Sequence, residues 1–167
     1  MRKKIYIRRI MAIVSMASVL LTLAIGPTFA HQTSTHSPAK RTIYMIAFEP
    51  KGSTTIDKEP FPTEALPKGG GYKLIPPDEN GKWTVETYRW MPSTVIVYQG
   101  DEVTLEILGV NGKLHKGSIE DYVDGFIVER GKITKLNFVA DKVGVFRILC
   151  SNHFPAMEGY LHVLPRT

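Results

Sequence analysis

The amino-acid sequence predicts an all-β protein, folded as a single β-sandwich, over most of its 167 residues. Short segments rich in β-branched and aromatic residues recur along the chain, and glycine-bearing turns such as Gln99-Gly100-Asp101 separate several of them. Alternation of apolar and polar residues, as in TKLNFVA (134–140), indicates strands with one buried and one solvated face. The sequence after residue 30 has no segment with a helical period, and short strands at this spacing are typical of a sandwich.

The first 30 residues have the three parts of a secretory signal. Five basic residues precede an apolar run over residues 10–25. The segment over residues 27–30 follows, with small residues at the two positions that a signal peptidase reads for cleavage after Ala30. We predict a signal peptide over residues 1–30, which places the protein in the periplasm or outside the cell. If the signal were left uncleaved, the apolar run would tether the protein to a membrane.

The charge balance supports this division of the chain. The sequence has 21 Lys and Arg against 16 Asp and Glu, and the five excess positive charges all lie in the predicted signal. The remaining 16 basic and 16 acidic residues give no net charge and no basic footprint. This balance argues against a nucleic-acid partner.

The rest of the chain is the size of one domain. Residues 31–40 have mostly short, polar side chains, which predicts a flexible lead. Residues 41–167 are predicted to form the folded domain. Its first strand is predicted over residues 41–48. Residues 49–82 hold six of the 11 prolines and three consecutive glycines, so we predict a loop or insertion there.

Further strands are predicted from apolar alternation and from the turns between them. They cover residues 83–90, 93–98, 102–109, 124–129, 133–140, 144–150 and 159–164.

The only cysteine lies in a segment with metal-ligand spacing. Cys150 ends a predicted strand, His153 and Met157 follow in a short loop, and the pattern is C-x2-H-x3-M. An exported chain with one cysteine cannot form an internal disulfide, so its thiol is a candidate for an intermolecular disulfide, a reactive group or a metal ligand. A thiolate, imidazoles and a weak axial thioether are the donors that suit copper cycling between two oxidation states.

A second imidazole is needed to complete such a site. His115 is the preferred candidate, because it follows the strand over residues 102–109 and an antiparallel sandwich can bring that loop beside Cys150. His162 alternates away from the loop and is predicted as a surface or partly buried strand residue. His31 would become the N-terminus after cleavage, and its amine and imidazole are an alternative copper chelate. Each candidate ligand also has a structural explanation, since a lone cysteine is often only a small buried apolar group.

Two stretches together resemble a cupredoxin: MPSTVIVYQGDEVTLEILGVNGKLHKG and ITKLNFVADKVGVFRILCSNHFPAMEGYLHVLP. The likeness covers residues 91–165 and is greatest to the branch with the copper domains of nitrous-oxide reductase and cytochrome oxidase subunit II, and nitrosocyanin. In that branch F-x-A-x-x-x-G-x-[FY] precedes the copper loop, and this sequence matches it from Phe138 to Phe146. The resemblance implies a Greek-key β-sandwich with one copper ion, as Cu(I) or Cu(II), bound by His115, Cys150, His153 and Met157.

The sequence also departs from that branch. A binuclear copper centre needs two cysteines in the loop, and here there is one, so the loop resembles those of mononuclear blue-copper carriers. Nitrosocyanin-like red sites have a carboxylate ligand in place of the axial methionine. Glu120, Asp121 and Glu158 lie near the motif in sequence, and they remain alternative ligands.

The function implied is transfer of single electrons between redox protein partners, and not catalysis, because four protein ligands leave no open position for a substrate. His153 would be the electron port, and Phe154, Pro155 and Ala156 would form an apolar docking rim suited to a brief redox encounter. Two other classes remain: a red-copper enzyme acting on a small molecule, and a binding module, which would be either a periplasmic copper carrier or a structural cupredoxin without a metal.

Overall fold

A computed structural model describes residues 37–66 and 68–166. The predicted signal peptide (residues 1–30), His31 and most of the predicted lead over 31–40 lie outside the described residues. Within the described ranges the chain forms twelve strands and no helix, so no helix there is long and apolar enough to cross a membrane.

The strands are β1 Lys40–Phe48, β2 Lys51–Thr55, β3 Tyr72–Ile75, β4 Lys82–Thr87, β5 Arg89–Met91, β6 Thr94–Tyr98, β7 Glu102–Gly109, β8 Leu114–Ile119, β9 Val123–Glu129, β10 Ile133–Val139, β11 Gly144–Cys150 and β12 Glu158–Leu164.

Two sheets form the sandwich, which confirms the predicted all-β fold class. One has the order β10-β7-β1-β5 and the other the order β6-β12-β11-β8-β9. The chain crosses between them after β5, β6, β7, β9 and β10, as in a Greek key. Two strand pairs are parallel, β1 with β7 and β6 with β12, and the other pairs are antiparallel.

The core lies between the two sheets and follows the alternation seen in the sequence. In β7, Val103, Leu105 and Ile107 are buried while the residues between them are not. Val97 and Ile148 of the other sheet are fully buried too and belong to the same apolar cluster. Each such side chain contributes about 1.5–3 kcal/mol on burial, so the alternation of β7 fixes which face meets the core.

The prediction of one continuous strand over residues 83–90 is wrong, because two separate strands, β4 and β5, cover these residues. The chain leaves β4 at Thr87 and enters β5 at Arg89, and the two strands belong to different sheets. Tyr88 is the residue between them, and its backbone N–H donates to the Gly71 carbonyl at 2.7 Å. Tyr88 thus lies at the point where the chain passes from the small sheet to the sandwich.

The segment over residues 49–82 contains β2, β3 and the first residue of β4. These three strands form a small separate sheet with the order β2-β4-β3. The glycine triplet, residues 69–71, belongs to this segment and lies against the loop that follows β11. Gly70 bridges Pro155, and its N–H donates to the Phe154 carbonyl at 2.7 Å. The insertion therefore packs against the predicted metal loop.

Strand β8 was not predicted from the sequence, since LHKGSI has mixed polarity and contains a glycine. It pairs with both β9 and β11, and its Gly117 lies under the Phe126 ring, where a Cβ would come within 2.2 Å of a ring carbon. His115 therefore lies on a strand, and the expectation that it sits in a loop is wrong.

Candidate metal centre

Strands β8 and β11 bring the two predicted ligand segments together. Gly117 pairs directly with Cys150 in the antiparallel register of these strands. His115 lies two residues before Gly117, and alternate residues of a strand share a face, so the His115 and Cys150 side chains point to the same side of the sheet. Both are fully buried.

Three donor side chains converge at this point. The ligand atoms of His115, Cys150 and His153 all lie within 4.8 Å of one another. The Cys150 Sγ and the His153 Nδ1 are 3.4 Å apart. One ion bound at the usual distances of about 2.0–2.3 Å to nitrogen and sulfur can contact both of these atoms.

The metal loop, residues 150–157, is closed by its own backbone. The His153 N–H donates to the Cys150 carbonyl at 3.1 Å, and the Met157 N–H donates to the His153 carbonyl at 2.9 Å. The Cys150 N–H in turn donates to the Met157 carbonyl at 3.2 Å. Met157 is fully buried, so the loop returns an apolar thioether to the interior beside the cysteine that began it.

The hydrogen bonding of the two His115 ring nitrogens is that expected of a metal ligand. Its Nε2 lies 3.0 Å from the Asn111 carbonyl, which can only accept, so Nε2 carries the proton. Its Nδ1 is then a lone-pair acceptor, and it is buried with no hydrogen-bond partner. Buried polar atoms rarely go unpaired, and a metal-bound imidazole ordinarily donates its other N–H to a carbonyl.

The electrostatics of the cluster favour neutral side chains when no cation is bound. Burial raises the pKa of the Cys150 thiol, although backbone hydrogen bonds partly oppose this. Burial, and then repulsion from His115, lower the pKa of His153, against a smaller attraction from Glu49. The site is thus a buried set of a thiol and two imidazoles, in which a bound cation would displace the thiol proton and stabilise the thiolate.

The proposed carboxylate ligands do not join the cluster. Glu120 is exposed and pairs with Arg147 at 3.5 Å, and Asp121 pairs with Lys142 at 3.3 Å. Glu158 begins β12 opposite Leu149. Over residues 37–66 and 68–166, the only donor group that brings three such side chains together is His115, Cys150 and His153. His162 is half-buried on β12, as predicted.

The predicted docking residues differ in their exposure. Phe154 is 46% exposed, whereas Pro155 and Ala156 are half-buried. The glycine triplet accounts for the difference, since a Cβ on Gly69 would lie 2.3 Å from the Pro155 ring. Phe154 is therefore the most exposed of the three residues predicted to form a docking rim.

Sequence reasoning missed three residues around the cluster. Tyr88 stacks on His153, Asn111 accepts from His115, and Glu49 is buried beside Tyr88. Tyr88 lay inside a predicted strand, and Glu49 lay at the edge of a predicted loop. The sequence has no local signal for these contacts, because they depend on how the chain folds around the cluster.

No family model matches this chain, and no curated protein sequence matches it. Among solved structures it is similar to a multicopper oxidase, mgLAC, with a TM-score of 0.48 and 14% identity, over 77% of this chain and 40% of that one. It is similar to a heme-copper terminal oxidase with a TM-score of 0.40 and 16% identity, over 45% of this chain and 56% of that one. The chain thus spans less than two thirds of either protein.

A third similar structure is auracyanin A, described as a blue copper protein from the green thermophilic photosynthetic bacterium Chloroflexus aurantiacus. The TM-score is 0.40 and the identity 14%, over 45% of this chain and 88% of that one. All three likenesses are distant, and they assign the chain to no family.

Proposed function

We propose that this protein is an exported mononuclear copper protein that transfers single electrons between redox partners. The observation that carries the proposal is the convergence of two imidazoles and one thiol within 4.8 Å, with the His115 Nδ1 buried and unpaired. This donor set is the one that copper takes in trigonal electron-transfer sites.

His115, Cys150 and His153 would hold the ion, and Met157 would supply a thioether donor. A copper ion bound there supplies a one-electron couple between Cu(II) and Cu(I). The protein contributes rigidity, because two of the ligands lie on adjacent paired strands and the third lies in a loop closed by backbone hydrogen bonds. Such ligands change position little when the charge of the centre changes.

His153 is the ligand that we assign as the electron port. It is half-buried, while His115 and Cys150 are fully buried, so it alone of the three reaches the surface. Phe154 beside it is the most exposed residue of the predicted docking rim. A partner redox protein would dock here, through the small interface that is usual for such encounters.

The absence of a carboxylate from the cluster, among the described residues, favours this function over the red-copper enzyme. The periplasmic copper carrier uses the same donor atoms and differs in which oxidation state it retains. A carrier holds Cu(I) and exchanges it, whereas an electron-transfer protein holds both states.

The first experiment is a visible absorption spectrum of the purified protein loaded with Cu(II), followed by voltammetry. We expect an intense thiolate-to-copper band that is absent in Cys150→Ala and retained in His162→Ala, whose histidine lies outside the cluster. A reversible one-electron wave would then support electron transfer.

Other results would redirect the assignment. A wild-type protein without a thiolate band would overturn the copper-thiolate centre. Retention of Cu(I) with rapid loss of Cu(II) would replace electron transfer by copper delivery.

A further inference from the structure

Tyr88 lies face to face with the imidazole that we assign as the electron port. The ring centroids of Tyr88 and His153 are 3.8 Å apart, and the two planes differ by 9°. Burial, and then hydrogen bonding to the Glu49 side chain, raise the pKa of Tyr88 to about 12, and Glu49 is only 6% exposed. The buried Glu49 side chain therefore lies at the hydroxyl end of the Tyr88 ring.

Glu49 is itself fixed by Asn111. The Glu49 N–H donates to the Asn111 side-chain carbonyl at 2.6 Å, and the Asn111 side-chain amide donates to the Glu49 carbonyl at 2.8 Å. The backbone carbonyl of the same Asn111 accepts from the His115 Nε2. One network therefore reaches both imidazoles, His115 through a hydrogen bond and His153 through the Tyr88 ring.

The two imidazoles differ in how they are oriented. His115 has a hydrogen bond at the nitrogen that faces away from the cluster, which fixes its ring. Among the described residues, His153 has no such bond at Nε2, and its contacts include the Cys150 Sγ at Nδ1 and the ring of Tyr88. The stack therefore takes the place of the missing hydrogen bond.

The fit of Tyr88 at this point depends on Gly112. A Cβ on Gly112 would lie 2.9 Å from both the His115 Nε2 and a ring carbon of Tyr88, and its φ of 77° suits glycine. The backbone at Gly112 thus lies close to the rings of both Tyr88 and His115, and a larger residue there would displace one of them.

We propose that Tyr88, held by Glu49, is a positioning residue that keeps the His153 imidazole turned with Nδ1 toward Cys150, ready for the metal. The consequences that we expect, slow release of the metal and a single well-defined redox centre, rest on the proposed function. The orientation of the ring itself is a property of the metal-free protein, and it can be measured without copper.

The experiment compares Tyr88→Leu, which removes the stack, with Tyr88→Phe, which keeps the stack and loses the bond to Glu49. Tyr44→Leu is the matched control, since Tyr44 is 69% exposed on β1. In the metal-free proteins, ring signals of ¹⁵N-labelled histidine are recorded by NMR. In copper-loaded proteins, release to an excess of chelator is timed. Thermal unfolding of the metal-free variants is the check on folding.

For Tyr88→Leu we expect exchange-broadened or doubled His153 ring signals and copper release faster by about 10- to 100-fold, the range usual for loss of an outer partner of a metal ligand. Tyr88→Phe should restore most of the wild-type release rate and a single set of ring signals. Tyr44→Leu should match the wild type in both measurements.

The inference is overturned if Tyr88→Leu and Tyr44→Leu give the same sharp His153 signals. It is also overturned if their release rates agree in a wild-type background that shows a thiolate band. If the wild type shows no thiolate band, the proposed function fails, and the NMR comparison still decides whether Tyr88 orients His153.

Discussion

His115 illustrates how a single side chain can point to a metal. A buried imidazole in an apolar core ordinarily satisfies both nitrogens, yet here one nitrogen has the Asn111 carbonyl and the other has no partner. Leaving a buried acceptor unpaired costs about 1–3 kcal/mol. A cation bound between the imidazole and Cys150 removes this cost.

Met157 is the proposed ligand whose role is most directly tested by substitution. Met157→Leu preserves volume and should cost less than about 1.5 kcal/mol of stability. We expect it to raise the reduction potential of the copper form, because Cu(II) loses more than Cu(I) when a donor is removed. Met157→Gln supplies an oxygen donor and should lower the potential.

Voltammetry of both Met157 variants, beside the wild type, checks this prediction. Equal potentials in all three proteins would show that the sulfur of Met157 does not contribute to the centre.

At the scale of elements, the glycine triplet and the metal loop form one packed unit. Gly71 has a φ of 80°, and a Cβ there would lie 2.1 Å from the His153 carbonyl. Gly71→Ala should therefore destabilise the protein by about 1–3 kcal/mol through overpacking and backbone strain, and should disturb the thiolate band.

Gly125→Ala is the matched control for this prediction. Gly125 lies on β9, where an added Cβ would meet no atom within 4 Å, and its φ is not positive. Urea unfolding of the two variants checks the stability, and their copper spectra check the site. Identical behaviour of both variants would contradict a coupling between the insertion and the metal loop.

At the scale of the whole molecule, Asp101 joins distant parts of the chain. Burial by itself would raise its pKa, but hydrogen bonds from the Tyr98 N–H, Arg41, the Ala39 N–H and Arg166 lower the pKa to about 2. These donors come from the residue before β1 and from β1 itself, from the last residue of β6, and from the end of the described chain.

The sign of the resulting pH dependence follows from the direction of this shift. The folded-state pKa lies below the ordinary value of 3.8, so the stabilisation is fully present above about pH 4 and is lost as the pH falls toward 2. We expect Asp101→Asn to lose about 2 kcal/mol at neutral pH, and this loss should shrink as the pH approaches 2.

Urea unfolding of the metal-free wild type, Asp101→Asn and the exposed control Asp124→Asn, at several pH values, measures this effect. A loss for Asp101→Asn that does not change with pH would refute the electrostatic origin.

If the proposed centre is correct, copper should stabilise the whole fold, because the His115, Cys150 and His153 cluster exists only when β8, β11 and the metal loop are assembled. With free copper at about 1,000 times its dissociation constant, linkage gives about 4 kcal/mol. Thermal unfolding should show a higher Tm with copper for the wild type and His162→Ala, and a much smaller rise for Cys150→Ala. An equal rise in all three would indicate binding elsewhere.

The sandwich could be predicted from the sequence, because the alternation along segments such as β7 and β10 depends only on which residues are apolar. The donor types around Cys150 were predictable as well, since the loop contributes His153 and Met157 over a few residues. Three features emerged only from the folded chain. Residues 114–119 form strand β8, the strand predicted over residues 83–90 is interrupted at Tyr88, and the glycine triplet packs against the metal loop. The physical reason is that these features depend on hydrogen bonds and ring contacts between segments far apart in sequence, for which local composition has no signal.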